Sequence, residues 1–206
     1  MAVRRSSGSW RDRQEKDPYV QQARKDGWRS RAVYKLQQID QKERLLKPGM
    51  TCVDLGSAPG SWSQYITECL KGNVRIIAVD LLEMDSLPSV EFIQGDFTEE
   101  AVLEQMLELL GNDKSALVMS DMAPNISGNK SVDQPRSQYL AELALELARQ
   151  VLKPGGSFIC KLFQGQGTDK YIAGCRAYFG RVRVIKPKAS RAGSSEVFLV
   201  ARNYHL

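Results

Sequence analysis

Short apolar runs recur along the chain and alternate with stretches of helical period. The runs at 50–55, 74–79, 90–93, 116–120 and 157–162 are brief and almost continuously apolar, the pattern of strands buried on both faces. Around them the spacing changes. From Pro18 a helical pattern passes through Tyr19, Val20 and Ala23 to a stop at Gly27, and Ser30 is placed to cap a second helix over 31–43 with Val33, Leu36 and Ile39 inward. Further helices are predicted at 61–71 and 99–110. Pro135 should open the longest, burying Leu140, Leu143, Ala144, Leu147 and Val151, before the turn Lys153-Pro154-Gly155-Gly156 stops it. A short helix near 169–178 precedes strands at 181–185 and 195–201, joined by the basic loop KPKASRAGSS. The alternation predicts an α/β fold: a mostly parallel sheet with helices on both faces, closed by an antiparallel pair.

The stretch CVDLGSAPGSWSQ, Cys52 to Gln64, is where this layout turns chemical. A strand carrying Asp54 breaks into Gly56, Ser57, Ala58, Pro59 and Gly60, and a helix follows at once, the usual way such a sheet opens a ligand crevice. Gly56 and Gly60 would let the backbone approach a ligand, and Pro59 stiffens the turn. The spacing is neither G-x-G-x-x-G nor G-x-x-x-x-G-K-[ST], so neither a dinucleotide nor a P-loop phosphate site is expected. Asp80 ends the second strand, 26 residues after Asp54, where an acidic residue commonly holds a cofactor ribose.

Composition narrows the choices. The 206 residues suffice for one α/β domain with a short appendage, which divides the chain into a basic N-terminal arm and helices, 1–47, and a main domain, 48–206. No run of about 18 apolar residues predicts a membrane span, and the first residues lack the apolar core of a secretory signal, so a cytoplasmic protein is expected. Cys52, Cys69, Cys160 and Cys175 form no C-x-x-C pair, so free thiols and no metal site are expected. His205, the single histidine, lies beside the C-terminus, which removes templates that need a histidine base. Residues 1–47 hold 13 Lys and Arg against 6 Asp and Glu, residues 181–206 hold 6 against 1, and the middle holds 10 against 17. Basic ends around an acidic centre suit a polyanion held by the termini and a cationic or neutral cofactor between them. Residues 1–17 read as a disordered basic arm.

Two charges interrupt apolar strands: Lys161 within Phe158–Phe163, and Glu196 just before Val197. Breaking a buried pair costs about 3–5 kcal/mol, so both should be paired, with Asp121 at the end of the fourth strand a third member. The residues alone leave a structural ion pair and a catalytic group equally open. Lys35, beside the apolar face of its helix, reads from position alone as a surface lysine.

Together these segments resemble the FtsJ/RrmJ family of ribosomal RNA 2′-O-ribose methyltransferases, of the large-subunit methyltransferase E type. The likeness runs through Tyr19-Val20-Gln21-Gln22-Ala23, Arg29-Ser30-Arg31-Ala32, Lys47-Pro48-Gly49-Met50, DLGSAPGSWSQY, QGDF, SDMAPNISG, PGGSF and Ser190-Arg191 before Glu196-Val197. Ser57 and Ser61 stand where that family commonly has Ala and Gly. The resemblance implies a Rossmann-like fold with strand order 3-2-1-4-5-7-6 and S-adenosyl-L-methionine as cofactor. It places a catalytic tetrad on Lys35, Asp121, Lys161 and Glu196, with Lys161 the base. It places cofactor contacts on the turn with Gly60 and Trp62, on Asp80 for the ribose, on Asp96 with Phe97 for adenine, and on Asp121; Asp54, Gly56 and Pro59 complete the expected pocket. It further implies that the substrate is a uridine ribose of bacterial 23S rRNA, within the large ribosomal subunit, met by a monomer. Asp121-Met122-Ala123-Pro124 lacks the aromatic of the [DNS]-P-P-[YF] pattern, which argues against base-nitrogen transfer. Phosphate contacts are expected from Arg4, Arg5, Arg29, Arg31, Lys186, Lys188 and Arg191. The competing readings are a cap-type or tRNA ribose methyltransferase, disfavoured by the short chain, and a noncatalytic ribosome-assembly factor, disfavoured by the intact tetrad.

Overall fold

The apolar runs pair into one seven-stranded sheet. The computed structural model describes residues 15–124 and 127–205, apart from the side chain of residue 130; Arg4, Arg5 and most of the expected basic arm lie outside them. In chain order the elements are α1 (Pro18–Asp26), α2 (Val33–Glu43), β1 (Met50–Leu55), α3 (Ser61–Cys69), β2 (Val74–Asp80), β3 (Val90–Gln94), α4 (Glu100–Leu110), β4 (Ser115–Ser120), α5 (Lys130–Val151), β5 (Leu152–Phe163), α6 (Thr168–Cys175), β6 (Phe179–Ile185) and β7 (Glu196–Tyr204). The strand order is β3-β2-β1-β4-β5-β7-β6, as the resemblance implied. β7 runs antiparallel to both β5 and β6, while the other neighbours pair in parallel.

Each face of the sheet carries its own apolar layer. On one face α4, α5 and α6 bring Met106, Leu110, Ala144, Leu147, Tyr171 and Cys175 onto Val53, Ile77, Val118 and Phe158. On the other, α1, α2 and α3 bring Ala23, Leu36, Ile39, Trp62 and Ile66 onto Cys52, Ile76, Met119, Ile159 and Phe198. The N-terminal helices are thus part of the second core layer. That packing turns α2 towards β7, which sets Lys35 over the strand ends.

Among the element boundaries that depart from the expected ones, three have a clear local reason. α5 begins at Lys130 rather than at Pro135, because Asn129 caps it by accepting from the Ser131 N–H at 3.1 Å. Asp133 ties the approach by accepting from the Ser127 and Gly128 amides at 2.9 and 3.0 Å. These caps outweigh the missing donor of Pro135. α2 begins at Val33 with no side-chain cap at Ala32; Ser30 Oγ accepts from the Ala32 N–H in the turn before it. β5 pairs Leu152 with Ser115 and Ser157 with Leu117, so residues 153–156 bulge out of the pairing instead of closing a turn outside it.

Candidate active site

The crevice forms where chain order reverses, between β1 and β4, at the carboxyl ends of the parallel strands. The turn after β1 is held onto β2: the Gly56 and Ser57 amides donate to the Val79 carbonyl at 2.9 and 3.2 Å. Asp80 accepts from the Ala58 N–H at 2.9 Å and from the Leu82 N–H at 2.8 Å, one bond on each carboxylate oxygen. Gly56 and Gly60 have φ of +72° and +96°, conformations costly to other residues. Their close neighbours are protein: a Cβ on Gly56 would stand 2.4 Å from Met122 Cγ, and one on Gly60 2.7 Å from Met84 Sδ. α3 starts at Ser61, and the Ser61 and Trp62 amides have no hydrogen-bond acceptor among the described residues. That end of a helix favours an anion such as a carboxylate.

The four predicted catalytic side chains meet in one place. Glu196, the first residue of β7, holds Lys35 with both carboxylate oxygens at 3.0 Å and accepts from Ser190 Oγ at 2.8 Å. Asp121, just beyond β4, has Oδ1 3.2 Å from Lys161 Nζ and 3.5 Å from Lys35 Nζ. Neither lysine makes a well-angled hydrogen bond to that buried oxygen, so the attraction is ionic; Lys161 instead donates to the Asp121 carbonyl. Lys35 also lies 5.4 Å from the centre of the Phe198 ring. Its side chain is 12% exposed, so the surface-lysine reading from position alone is corrected: the 189–196 loop and β7 cover it. Ser190, quoted within a motif but given no role from sequence, fixes the Glu196 rotamer. The hydroxyl six residues ahead of a buried acid was the available signal.

A cavity of about 280 Å³ opens on this cluster, lined by Ala32, Lys35, Ala123, Lys161, Phe163 and Glu196 among others. Deeper in the crevice Asp54 is fully buried and accepts from Ser63 Oγ at 2.7 Å. Burial, with lesser contributions from the Asp121 and Asp80 charges, raises its pKa from 3.8 to about 7 against the lowering effect of Ser63. Asp96 accepts twice from Thr98 through Oδ1, at 2.9 and 2.7 Å, and Oδ2 has no partner among the described residues. Phe97 beside it packs on the α4–α5 core layer.

The crevice therefore combines strand-end carboxylates, free helix amides and the partnerless buried hydroxyl of Ser57. That donor set fits a ligand with a positive centre, hydroxyls and a carboxylate, as S-adenosylmethionine has. Trp62 differs from expectation. Its side chain is in the α2-side core, donating its indole N–H to the Ala32 carbonyl at 2.9 Å and packing at a tilt against Phe198, ring centres 5.7 Å apart, so only its backbone amide is left for a cofactor.

Two expected phosphate contacts are spent inside the fold. Arg29 donates to the carbonyls of Pro59, Asp85 and Ser86 at 3.0, 2.7 and 2.9 Å, clamping the motif turn to the segment after β2. Arg31 is taken up by the Asp17 carboxylate and the Ala189 carbonyl. Sequence gives arginines a charge but not a partner. Lys186, Lys188 and Arg191 remain exposed along the loop before β7.

A family model described as FtsJ-like methyltransferase matches residues 28–204. Two proteins from Pseudomonas fluorescens strains, both named Ribosomal RNA large subunit methyltransferase E, are 53% and 52% identical over 204 residues, 99% of this chain and 98% of each relative. A Plasmodium falciparum crystal structure described as a ribosomal RNA methyltransferase is similar at TM-score 0.78 and 34% identity, covering 86% of this chain and 98% of that one. Human methyltransferase-like protein 13 in complex with SAH shares the fold at TM-score 0.58 and 17% identity, over 84% of this chain and 80% of that one.

Proposed function

The chain belongs to the FtsJ-like methyltransferase family, and from that membership we propose that it methylates the ribose 2′-oxygen of a uridine in bacterial 23S rRNA, in the cytoplasm, as a monomer acting on the large ribosomal subunit. S-adenosylmethionine supplies the activated methyl group when bound. The observation that carries the reading is the meeting of Lys35, Asp121, Lys161 and Glu196, from four separate elements, beside an open cavity.

A ribose hydroxyl is a poor nucleophile until its proton is engaged, so a base within hydrogen-bond range is the chemical need. Lys161 is assigned that role, accepting the hydroxyl proton at Nζ. Asp121 holds Nζ in place through its carbonyl and its carboxylate. Glu196 and Ser190 fix Lys35 at the opposite side of Asp121, so the Lys35 ammonium balances that acid's charge while Lys161 Nζ acts as the uncharged amine that takes the proton. For the cofactor, Asp80 would hold the ribose hydroxyls through its remaining lone pairs, Asp96 Oδ2 would accept from the adenine amine, and the α3 amides of Ser61 and Trp62 would hold the carboxylate. Gly56, Pro59 and Gly60 shape the turn around it, and Asp54 supports the turn from below. Transfer by in-line displacement gains much from such positioning. Residues 1–47 contribute Lys35 and part of the RNA surface, with Lys186, Lys188 and Arg191 as phosphate contacts near the cavity. No helix among the described residues is long and apolar enough to cross a membrane.

Lys161→Ala tests the assignment. Labelled methyl transfer to ribosomal subunits from cells lacking the enzyme should fall by about 10²-fold or more, while cofactor affinity in equilibrium dialysis stays near wild type. Transfer at the wild-type rate would refute the base, and nuclease mapping of the label identifies the nucleotide.

A further inference from the structure

A cluster of arginines outside the cleft has no part in the chemistry above. Along β6, Arg181, Arg183 and Ile185 alternate onto the face that α2 covers, and Ile185 joins Phe198 and Val200 in that core layer. α2 stops at Glu43, with Arg44 turning the chain at φ +50°, so the sheet corner beyond the helix end is left to guanidiniums. The Glu43 carboxylate is buried there, its side chain 2% exposed. Arg183 Nη1 lies 3.4 Å from Oε1, while Arg202 Nη1 and Arg181 Nη2 lie 3.6 and 3.7 Å from Oε2. Arg202 also donates to the Glu43 carbonyl at 2.9 Å.

We propose that Arg181, Arg183 and Arg202, gathered by the buried Glu43, form a second phosphodiester-binding surface that grips the RNA substrate away from the methylated nucleotide. The proposal rests on the reading of the substrate as RNA.

Neutralising one carboxylate needs one cation, and Arg202, the least exposed of the three, is held 3.6 Å from it by its bond to the Glu43 carbonyl. Arg181 stands 3.7 Å from the carboxylate and Arg183 makes one long hydrogen bond to it at 3.4 Å; at 43% and 57% exposed, both add little to stability. Guarding a sheet edge calls for charge, but not for guanidiniums converging on a single buried anchor. What remains is a fixed set of N–H forks open to solvent, the arrangement that suits phosphate oxygens. Arg183 lines a shallow depression of about 560 Å³ together with Lys42 and Lys186.

The register sets the distance from the chemistry. Lys161 pairs with Phe198 and Phe198 with Ile185, so Arg183 lies two residues back on β6 and two strands across. At about 3.3 Å per residue and 4.8 Å per strand that is roughly 12 Å. The eight steps of α2 from Lys35 to Glu43 span about the same length. Lys186 and Lys188 lie on the loop that leaves β6, between the two places. At about 3.4 Å per stacked nucleotide, the arginines would meet phosphates about three or four nucleotides from the target.

The test is the double variant Arg181→Gln/Arg183→Gln in the full chain, which leaves Arg202 on the buried carboxylate. With ribosomal subunits from cells lacking the enzyme, KM should rise about tenfold at physiological salt, and the slope of log KM against log salt should shrink by about 1–2. The kcat, cofactor affinity and unfolding midpoint should stay at wild-type values, and the Arg181→Lys/Arg183→Lys pair should restore the slope. Anisotropy of a fluorescein-labelled oligouridylate reads the same slope without turnover, so it decides the surface even if the wild type proves to methylate no RNA, an outcome that would instead refute the proposed activity. Unchanged KM and slopes in the glutamine variant would overturn the proposal, as would a KM rise accompanied by lost cofactor affinity.

Discussion

Asp54→Asn should make the protein more stable at alkaline pH than the chain nature supplies. The carboxyl is fully buried under the crevice with Ser63 as its only hydrogen-bond donor among the described residues, and its pKa is raised from 3.8 to about 7, chiefly by burial. Because the folded value is the higher one, the native state keeps a proton that the unfolded chain has released between the two values. Stability from this group therefore falls as pH rises through that window, and the loss is complete above about pH 8. The full shift of about 3 units corresponds to about 4 kcal/mol. Between about pH 5 and about pH 8 the part still to be lost is roughly 2–3 kcal/mol. An asparagine carries no charge to desolvate and can still accept from Ser63, so its stability should lack this slope. Urea unfolding followed by tryptophan fluorescence at the two pH values measures the difference, and groups common to both proteins cancel. If the stabilities of wild type and variant run parallel with pH, Asp54 is not the neutral acid that its burial demands.

Gly56→Ala places a Cβ 2.4 Å from Met122 Cγ at a φ of +72°; strain and overpacking together should cost about 2–4 kcal/mol in thermal or urea unfolding, with cofactor affinity falling alongside. Lys35→Met leaves Glu196 without its cation and should cost about 3 kcal/mol. Adding Glu196→Gln should recover part of that stability in urea unfolding but none of the methyl-transfer rate, because the lysine that steadies Asp121 is still missing.

Much of this molecule is legible in the chain because its signals are local. The almost continuously apolar runs at 50–55 and 116–120 are too short for buried helices and read as strands buried on both faces, and the helical pattern between them points to parallel crossovers. The break after Asp54 into Gly56, Pro59 and Gly60 marks the crevice for the same reason: only that backbone turns a buried strand directly into a helix. The start of α5 was less legible, since Asn129 and Asp133 form caps whose strength depends on how the preceding residues fold back.

Partnership was another matter. Lys35 looked like a surface residue by position, and only the packing of α2 against β7 brings it to Glu196, 161 residues away. Arg29 and Arg31 carry the same charge in sequence as Lys188, yet the fold closes carbonyls and Asp17 around the first two and leaves Lys188 exposed. Trp62 belongs to the motif but faces the core, because its indole meets Ala32. Backbone conformation is set within a few residues, so sequence determines it. A charge's role is set by what long-range contacts place within a few ångströms of it, and that only the tertiary structure decides.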